Sequence, residues 1–112
     1  MKKIEAIVST SKLDDVRNSL GRAGVDGMTV TEVRSFGQEK GHTELYRAEE
    51  HEVTLVPKVK IEIVVEDGRV PALLDELLRA TRTGRIGDGR IFVLPVDDAI
   101  RIRTSERGRD AL

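Results

Sequence analysis

The sequence has 112 residues, 38% of them hydrophobic and 3% aromatic, which predicts a single domain over residues 1–112 with a mainly aliphatic core. Charged residues make up 35% but sum to a net charge of −1, which excludes bulk electrostatic attraction to nucleic acid or anionic lipid. Cysteine is absent, which excludes disulfides and thiolate chemistry, and without a recognisable signal peptide or apolar span we expect a cytoplasmic protein.

The first third of the chain predicts a strand, a helix and a second strand. Lys3–Val8 alternates with Ile4, Ala6 and Val8 on one face, which predicts a strand. Ser11 and Asp14 resemble a helix capping box, and apolar residues then recur at helical spacing up to Gly24. Met28–Arg34 is rich in β-branched residues and predicts the second strand.

The second half repeats this order. Val59–Val65 shows the clearest alternation and predicts a third strand. Pro71 suits the first turn of a helix with leucines at helical spacing. Ile91–Val96 predicts a fourth strand and Ala99–Arg103 a short final one, and the polar residues 104–112 predict a flexible tail.

The order β-α-β-β-α-β, with a short C-terminal strand, predicts an α+β fold, a ferredoxin-like sandwich with both helices on one face of the sheet. The opposite face has no chain segment to cover it, although Ala6 or Ile7, together with Val64, should lie there. An uncovered apolar sheet face in a small domain predicts a symmetric homo-oligomer.

Two segments are longer than a minimal sandwich needs. Residues 35–57 join two strands that a tight turn could join, and loops of this length are usually functional or disordered.

Residues 81–90, TRTGRIGDGR, combine three glycines with three arginines. Glycines expose backbone N–H groups and arginines suit phosphate oxygens, so the segment, with Arg101 and Arg103 on one face of the final strand, predicts a polyphosphate site. The alternative is an ordinary connection with solvated arginines.

The segment TGRIGDGRIFVLPV, residues 83–96, resembles the C-terminal signature of PII signal-transduction proteins, the nitrogen regulators. Further matches are GMTVTEV (27–33), KGHTELYR (40–47), PKVKIEIVV (57–65) and IRIRT (100–104). The resemblance covers nearly the whole chain. It implies a homotrimer that binds ATP or ADP in the clefts between subunits, a target-docking T-loop at about 36–56 and a B-loop at about 82–90.

The resemblance also implies which residues bind the nucleotide. It implies an adenine pocket formed by Ile7, Thr29, Glu62 and Val64, with Gly27 and Met28 nearby. It implies phosphate contacts from the backbone of Gly87, Asp88 and Gly89, from Arg90, and from Arg101 and Arg103 of a neighbouring subunit. The resemblance adds Gly37 and Gln38 to this nucleotide-binding set. From the residues alone, Glu62 could equally form a cross-strand ion pair and Thr29 could simply favour a strand.

In the family, 2-oxoglutarate binds through Mg²⁺ beside the ATP phosphates, and the matching positions are Glu39, Gly41, Lys58 and Gly87. Glu39 stands where the family has a glutamine. A carboxylate is a good Mg²⁺ ligand, but it adds negative charge beside an anionic metabolite. The resemblance therefore implies that the chain binds ATP or ADP, with Mg²⁺ accompanying ATP, and the departure at Glu39 leaves 2-oxoglutarate sensing open.

The T-loop lacks the family's usual acceptors for covalent modification. His51 replaces a tyrosine that is uridylylated or adenylylated in many members, and Glu49 replaces a serine that is phosphorylated in another branch. We therefore expect no nucleotidylation at position 51.

His42 and His51 could in principle bind zinc with a nearby glutamate, but their separation on one loop without cysteine favours a solvated loop and no structural metal.

The main functional hypothesis is a regulatory protein, not an enzyme, which acts through its T-loop on an ammonium channel or nitrogen-assimilation enzymes. Arg47 matches the arginine that blocks the channel pore, and membrane contact would occur only through such a partner. One alternative is a slow ATPase in which Asp88 or Glu39 positions water, although no supported base is identifiable. Another is an RNA-recognition module, but the central strand VKIEIVV has no aromatic residue for base stacking, so we expect no nucleic-acid partner.

Overall fold

A computed structural model describes residues 1–36 and 54–112. The strands are β1 (Lys2–Ser9), β2 (Thr29–Ser35), β3 (Val56–Val65) and β4 (Gly89–Pro95). The α-helices are α1 (Leu13–Arg22) and α2 (Val70–Thr81). Short 3₁₀ turns span Thr10–Lys12, Asp67–Arg69 and Gly108–Ala111.

The four strands form one antiparallel sheet in the order β2-β3-β1-β4. The strand β1 lies between β3 and β4. Its residue Ala6 pairs with Ile61 of β3 on one side and with Ile91 of β4 on the other. Sequence order and spatial order together give the ferredoxin-like βαββαβ fold, which confirms the predicted fold class.

The core lies between the two helices and one face of the sheet. Its buried hydrophobic side chains are Ile4, Ala6, Val8, Val16, Leu20, Val59, Ile61, Ile63, Val65, Leu73 and Leu77. All eleven are aliphatic, as the low aromatic content requires, and full burial of each large member contributes about 1.5–3 kcal/mol. Ala6 faces this core, so Ile7 is the residue of that pair on the opposite face.

The start of α1 differs from the sequence prediction. The 3₁₀ turn Thr10–Lys12 leads directly into the helix, and the Leu13 N–H bonds to the Thr10 carbonyl. Ser11 therefore makes no cap, and its hydroxyl bonds to the Ser9 hydroxyl instead, at 3.1 Å. The predicted capping box is wrong because the preceding turn already provides an acceptor at this helix end.

The short final strand predicted at 99–103 is also wrong. Ile100 forms a single bridge with Arg107, and the chain turns between them. The Arg101 N–H bonds to the Glu106 carbonyl at 2.9 Å, and the Ser105 N–H bonds to the Arg101 carbonyl at 2.8 Å. Alternating isoleucine and arginine residues fit an extended segment, but a strand also needs a partner along its length, and here the chain folds back on itself.

The tail after this turn makes specific contacts. The 3₁₀ turn Gly108–Ala111 lies within it, the Arg107 guanidinium donates to Asp98, and the Arg109 Nε lies 3.1 Å from a Glu66 carboxylate oxygen. The flexibility that the sequence predicts for residues 104–112 stays a prediction.

Candidate functional site

The sheet face opposite the helices collects the residues that the sequence predicts around the adenine. Thr29 of β2 pairs with Glu62 of β3, and Ile7 of β1 pairs with Lys60, two residues from Glu62. Val64 follows two residues later on the same face of β3. Ile7, Thr29, Glu62 and Val64 therefore share one face across three neighbouring strands.

The two residues before Thr29 are arranged differently. Gly27 is exposed in the connection that leads into β2, and a Cβ added there would meet no atom within 4 Å. The Met28 side chain is partly buried against the hydrophobic core. The structure thus packs the Met28 side chain against the core. It lies apart from Ile7, Thr29, Glu62 and Val64 on the sheet face opposite the helices, which we call the open face.

Glu62 takes part in a network of charges on this face. It accepts a hydrogen bond from Lys3 Nζ at 3.1 Å, and Lys60 Nζ lies 4.0 Å from its other oxygen and 3.7 Å from Glu5. The cross-strand ion pair that the sequence left open is therefore present. These side chains keep partial solvent contact, so each pair contributes less than about 1 kcal/mol. The network keeps the Glu62 carboxylate beside the Lys3 and Lys60 ammonium groups.

The B-loop between α2 and β4 depends on glycine at its turns. Gly84, Gly87 and Gly89 have φ values of 82°, 101° and 102°, a region that side chains with a Cβ rarely adopt. At Gly89 an added Cβ would overlap the Ile7 carbonyl oxygen and lie only 3.2 Å from the Val8 Cα. This close approach places the end of the loop directly against β1, beside the backbone of Ile7.

Asp88 organises the B-loop from within, a role that the sequence analysis missed. Its carboxylate accepts hydrogen bonds from the Thr83 hydroxyl, from the Thr83 N–H at 2.8 Å and from the Gly84 N–H at 3.0 Å. The Thr83 hydroxyl also accepts the Arg85 N–H at 3.1 Å. A threonine five residues before an aspartate in a glycine-rich loop is the sequence signal that could have suggested this contact.

These hydrogen bonds hold the pKa of the Asp88 carboxyl below its usual value, chiefly through the Thr83 hydroxyl and then through backbone N–H groups. The folded pKa lies below the unfolded one, so the bonds stabilise the fold above about pH 3.8, the ordinary value. Their contribution is lost as the pH falls through the lowered folded pKa.

Replacing Thr83 with valine should therefore raise the pKa of Asp88 toward its ordinary value, because the largest cause of its depression is removed. The measurement is an NMR titration of the side-chain carboxyl carbons. The control is Asp67, whose pKa is lowered by a hydrogen bond from the N-terminal amine and should not respond. An unchanged Asp88 titration would show that Thr83 does not set this pKa.

Lys58 connects β3 to the B-loop. It is buried, with 7% of its surface exposed, and its Nζ donates a 2.8 Å hydrogen bond to the Gly87 carbonyl. The structure thus brings together two of the residues that the sequence predicts around 2-oxoglutarate, although they lie 29 positions apart. The ammonium group lies directly beside the loop that carries the candidate phosphate-binding backbone.

The arginines predicted to meet phosphate differ in their surroundings. Arg90 is exposed where β4 begins, and together with Arg82 it lines a cavity of about 320 Å³ under the loop. The Arg101 guanidinium donates to Glu106 Oε1 at 3.4 Å and to the Leu112 carbonyl at 3.0 Å. Arg103 lies exposed in the turn that follows. Arg101 and Arg103 therefore do not project together from a strand, which corrects the sequence prediction.

Comparison with known proteins decides the family. A family model described as "Nitrogen regulatory protein P-II" matches residues 1–106. The chain belongs to the P-II family. Curated relatives with the same description come from Azospirillum brasilense, Rhodospirillum rubrum and Pasteurella multocida, at 54%, 55% and 57% identity over 112 residues. Each of these matches covers 100% of both chains.

The fold comparison agrees with the P-II assignment. The crystal structure of Arabidopsis thaliana PII bound to citrate superimposes with a TM-score of 0.82 at 42% sequence identity. The match covers 99% of this chain and 91% of the Arabidopsis chain. The P-II resemblance read from the sequence is thereby confirmed, and the relatives are named as regulatory proteins.

Several predicted P-II site residues lie outside the described residues. They are Gly37, Gln38, Glu39, Gly41, Arg47 and His51, and the zinc alternative with His42 falls there too. Within residues 1–36 and 54–112, no group of three or more potential metal ligands comes together. In the same two ranges no helix is long and apolar enough to cross a membrane.

Proposed function

We propose that this protein is a nitrogen-regulatory P-II signalling protein, a homotrimer that binds ATP or ADP between subunits and regulates target proteins through its T-loop. The observation that carries the proposal is the B-loop, held by Asp88 and seated against β1 beside Ile7. Family membership supports the regulatory role, and the open sheet face, with Phe92 and Leu94 exposed on β4, supports self-association.

The nucleotide would bind along the edge where the open face meets the B-loop. Ile7 and Val64 offer apolar contact for the adenine, and Thr29 offers a hydroxyl. The N–H groups from Gly87 to Gly89 and the Arg90 guanidinium would bind phosphate oxygens. Arg101 and Arg103 of a neighbouring subunit would neutralise the remaining charge.

Two ligands accompany ATP in this proposal. Mg²⁺ would neutralise phosphate charge and take the Glu39 carboxylate as a further oxygen ligand, which suits a hard cation. Lys58 supplies a buried ammonium beside Gly87 that would attract the carboxylate of 2-oxoglutarate, or of another small acid. The structure offers less support for a slow ATPase, because the Asp88 carboxylate is already bound by Thr83 and Gly84.

The glutamate at position 39 gives a direct prediction for 2-oxoglutarate. Replacing Glu39 with glutamine should strengthen 2-oxoglutarate binding in the presence of Mg²⁺ and ATP by roughly tenfold, because one negative charge beside an anionic ligand is removed. Calorimetric titration measures the change. The control is Glu32→Gln, which removes an exposed acid on β2 and should have no effect. Equal affinity in wild type and Glu39→Gln would contradict the electrostatic reason.

The regulatory role is tested by capturing partners from cell extract with the full chain, once in ATP with Mg²⁺ and once in ADP. A switch requires that the nucleotide biases T-loop conformations, so the captured proteins should differ between the two conditions. We expect an ammonium channel or nitrogen-assimilation enzymes among them. These partners would meet the protein in the cytoplasm or at the cytoplasmic face of the membrane. Identical sets in ATP and ADP would overturn the nucleotide switch.

A further inference from the structure

The contacts of Arg101 bear on how tightly the proposed nucleotide site binds, and the inference below rests on that proposed function. Two oxygens of its own chain already occupy the guanidinium, Glu106 Oε1 at 3.4 Å and the Leu112 carbonyl at 3.0 Å. The side chains of Arg101 and Glu106 are 40% and 46% exposed. A carboxylate of the same chain therefore already contacts the guanidinium that the proposed site offers to phosphate.

The turn holds Glu106 in this position by several bonds. The Thr104 hydroxyl donates to Glu106 Oε1 at 2.7 Å, and the Glu106 N–H donates back to the Thr104 hydroxyl at 3.3 Å. The Glu106 carbonyl accepts the Arg101 N–H at 2.9 Å, so the same two residues are joined by backbone and by side chain. The carboxylate thus stays near the guanidinium without depending on that ion pair alone.

We infer that Glu106 is an internal competitor for phosphate at Arg101 and lowers the affinity of the site for nucleoside di- and triphosphates. Carboxylate and phosphate bind the same planar fork of a guanidinium, so a bound phosphate has to share or displace the Glu106 contact. The pair is well exposed to solvent, so its effect is modest, about two- to fivefold in affinity.

The test is a calorimetric titration of the full-length chain with ATP and Mg²⁺, and separately with ADP. Glu106→Gln keeps the shape of the side chain and an oxygen acceptor for Thr104, but removes the charge. It should bind both nucleotides about two- to fivefold more tightly than wild type. Thr104→Val, which removes the hydroxyl that holds the carboxylate, should shift the affinity in the same direction by less.

The matched control is Asp98→Asn. Asp98 forms a separate carboxylate–guanidinium contact in this segment, with Arg107. This variant should bind nucleotide as wild type does. Unchanged or weaker binding by Glu106→Gln overturns the competitor role, and weaker binding would instead make Glu106 a residue that positions Arg101. If wild type itself binds no ATP, the proposed function fails and the competitor role fails with it.

Discussion

Replacing Gly89 with alanine is expected to destabilise the fold by about 2–5 kcal/mol, because backbone strain and a steric overlap add. Its φ of 102° is unfavourable for alanine, and the new Cβ would overlap the Ile7 carbonyl at the point where β4 pairs with β1. To relieve the overlap, β4 and the loop would have to move away from the sheet. Nucleotide binding should be lost with that movement.

Gly84→Ala is the matched control for this prediction. Gly84 also has a positive φ, 82°, but an added Cβ would have open space around it. Only the backbone strain at positive φ remains, so we expect the free energy of unfolding to fall by about 1–2 kcal/mol. Thermal unfolding of both variants at equal chain concentration measures the difference, because assembly makes apparent stability depend on concentration. Equal losses would show that the close approach to Ile7 contributes nothing.

Arg101→Ala is expected to weaken ATP binding by about 10- to 100-fold. Hydrogen bonds that involve a charged group contribute about 1.5–3 kcal/mol, and truncation also leaves phosphate charge uncompensated at the subunit boundary. Isothermal titration with ATP and Mg²⁺ gives the affinity directly. Because Arg101 is half-exposed and lies outside the buried core, the variant should fold.

Arg107→Ala provides the control for Arg101→Ala. Arg107 lies in the same segment and pairs with Asp98, so its removal perturbs the tail to a similar degree without touching the proposed site. Its ATP affinity should equal that of wild type. The role proposed for Arg101 would be excluded if both alanine variants bound ATP equally well.

Most of the fold could be predicted from the sequence because apolar residues recur regularly, at every second position in strands and at helical spacing in helices. In Val59–Val65 every second residue is apolar, and the structure buries each of these four residues. Leucines at helical spacing behind Pro71 likewise became the buried stripe of α2, with Leu73 and Leu77 in the core. In both elements local preference and burial agree, so the pattern alone was sufficient.

The errors occurred where local patterns depend on distant partners. Residues 99–103 have the composition of a strand, but only Ile100 finds a bridging partner, Arg107, and the chain turns before a ladder can form. The capping signal at Ser11 failed because a 3₁₀ turn already satisfied the start of α1. Neither outcome could be read from residue preferences.

The candidate site divides in the same way. Its glycine and arginine residues stood out in the sequence because these residue types are unusual together in a short loop. The contacts that organise it did not, since Lys58 reaches Gly87 across 29 positions and Glu106 meets Arg101 only around a turn. The sequence thus predicted which segments should bind nucleotide, and the structure was needed to show which contacts hold those segments in place.

The central claim is that this chain binds adenine nucleotide at the edge formed by β1, β3 and the B-loop. Calorimetric titration of the wild-type chain with ATP and Mg²⁺ tests it most directly. We predict saturable binding of one nucleotide per chain, which Arg101→Ala weakens strongly and Arg107→Ala leaves unchanged. Absence of binding to wild type at millimolar ATP, in a sample shown to be folded, would contradict the claim.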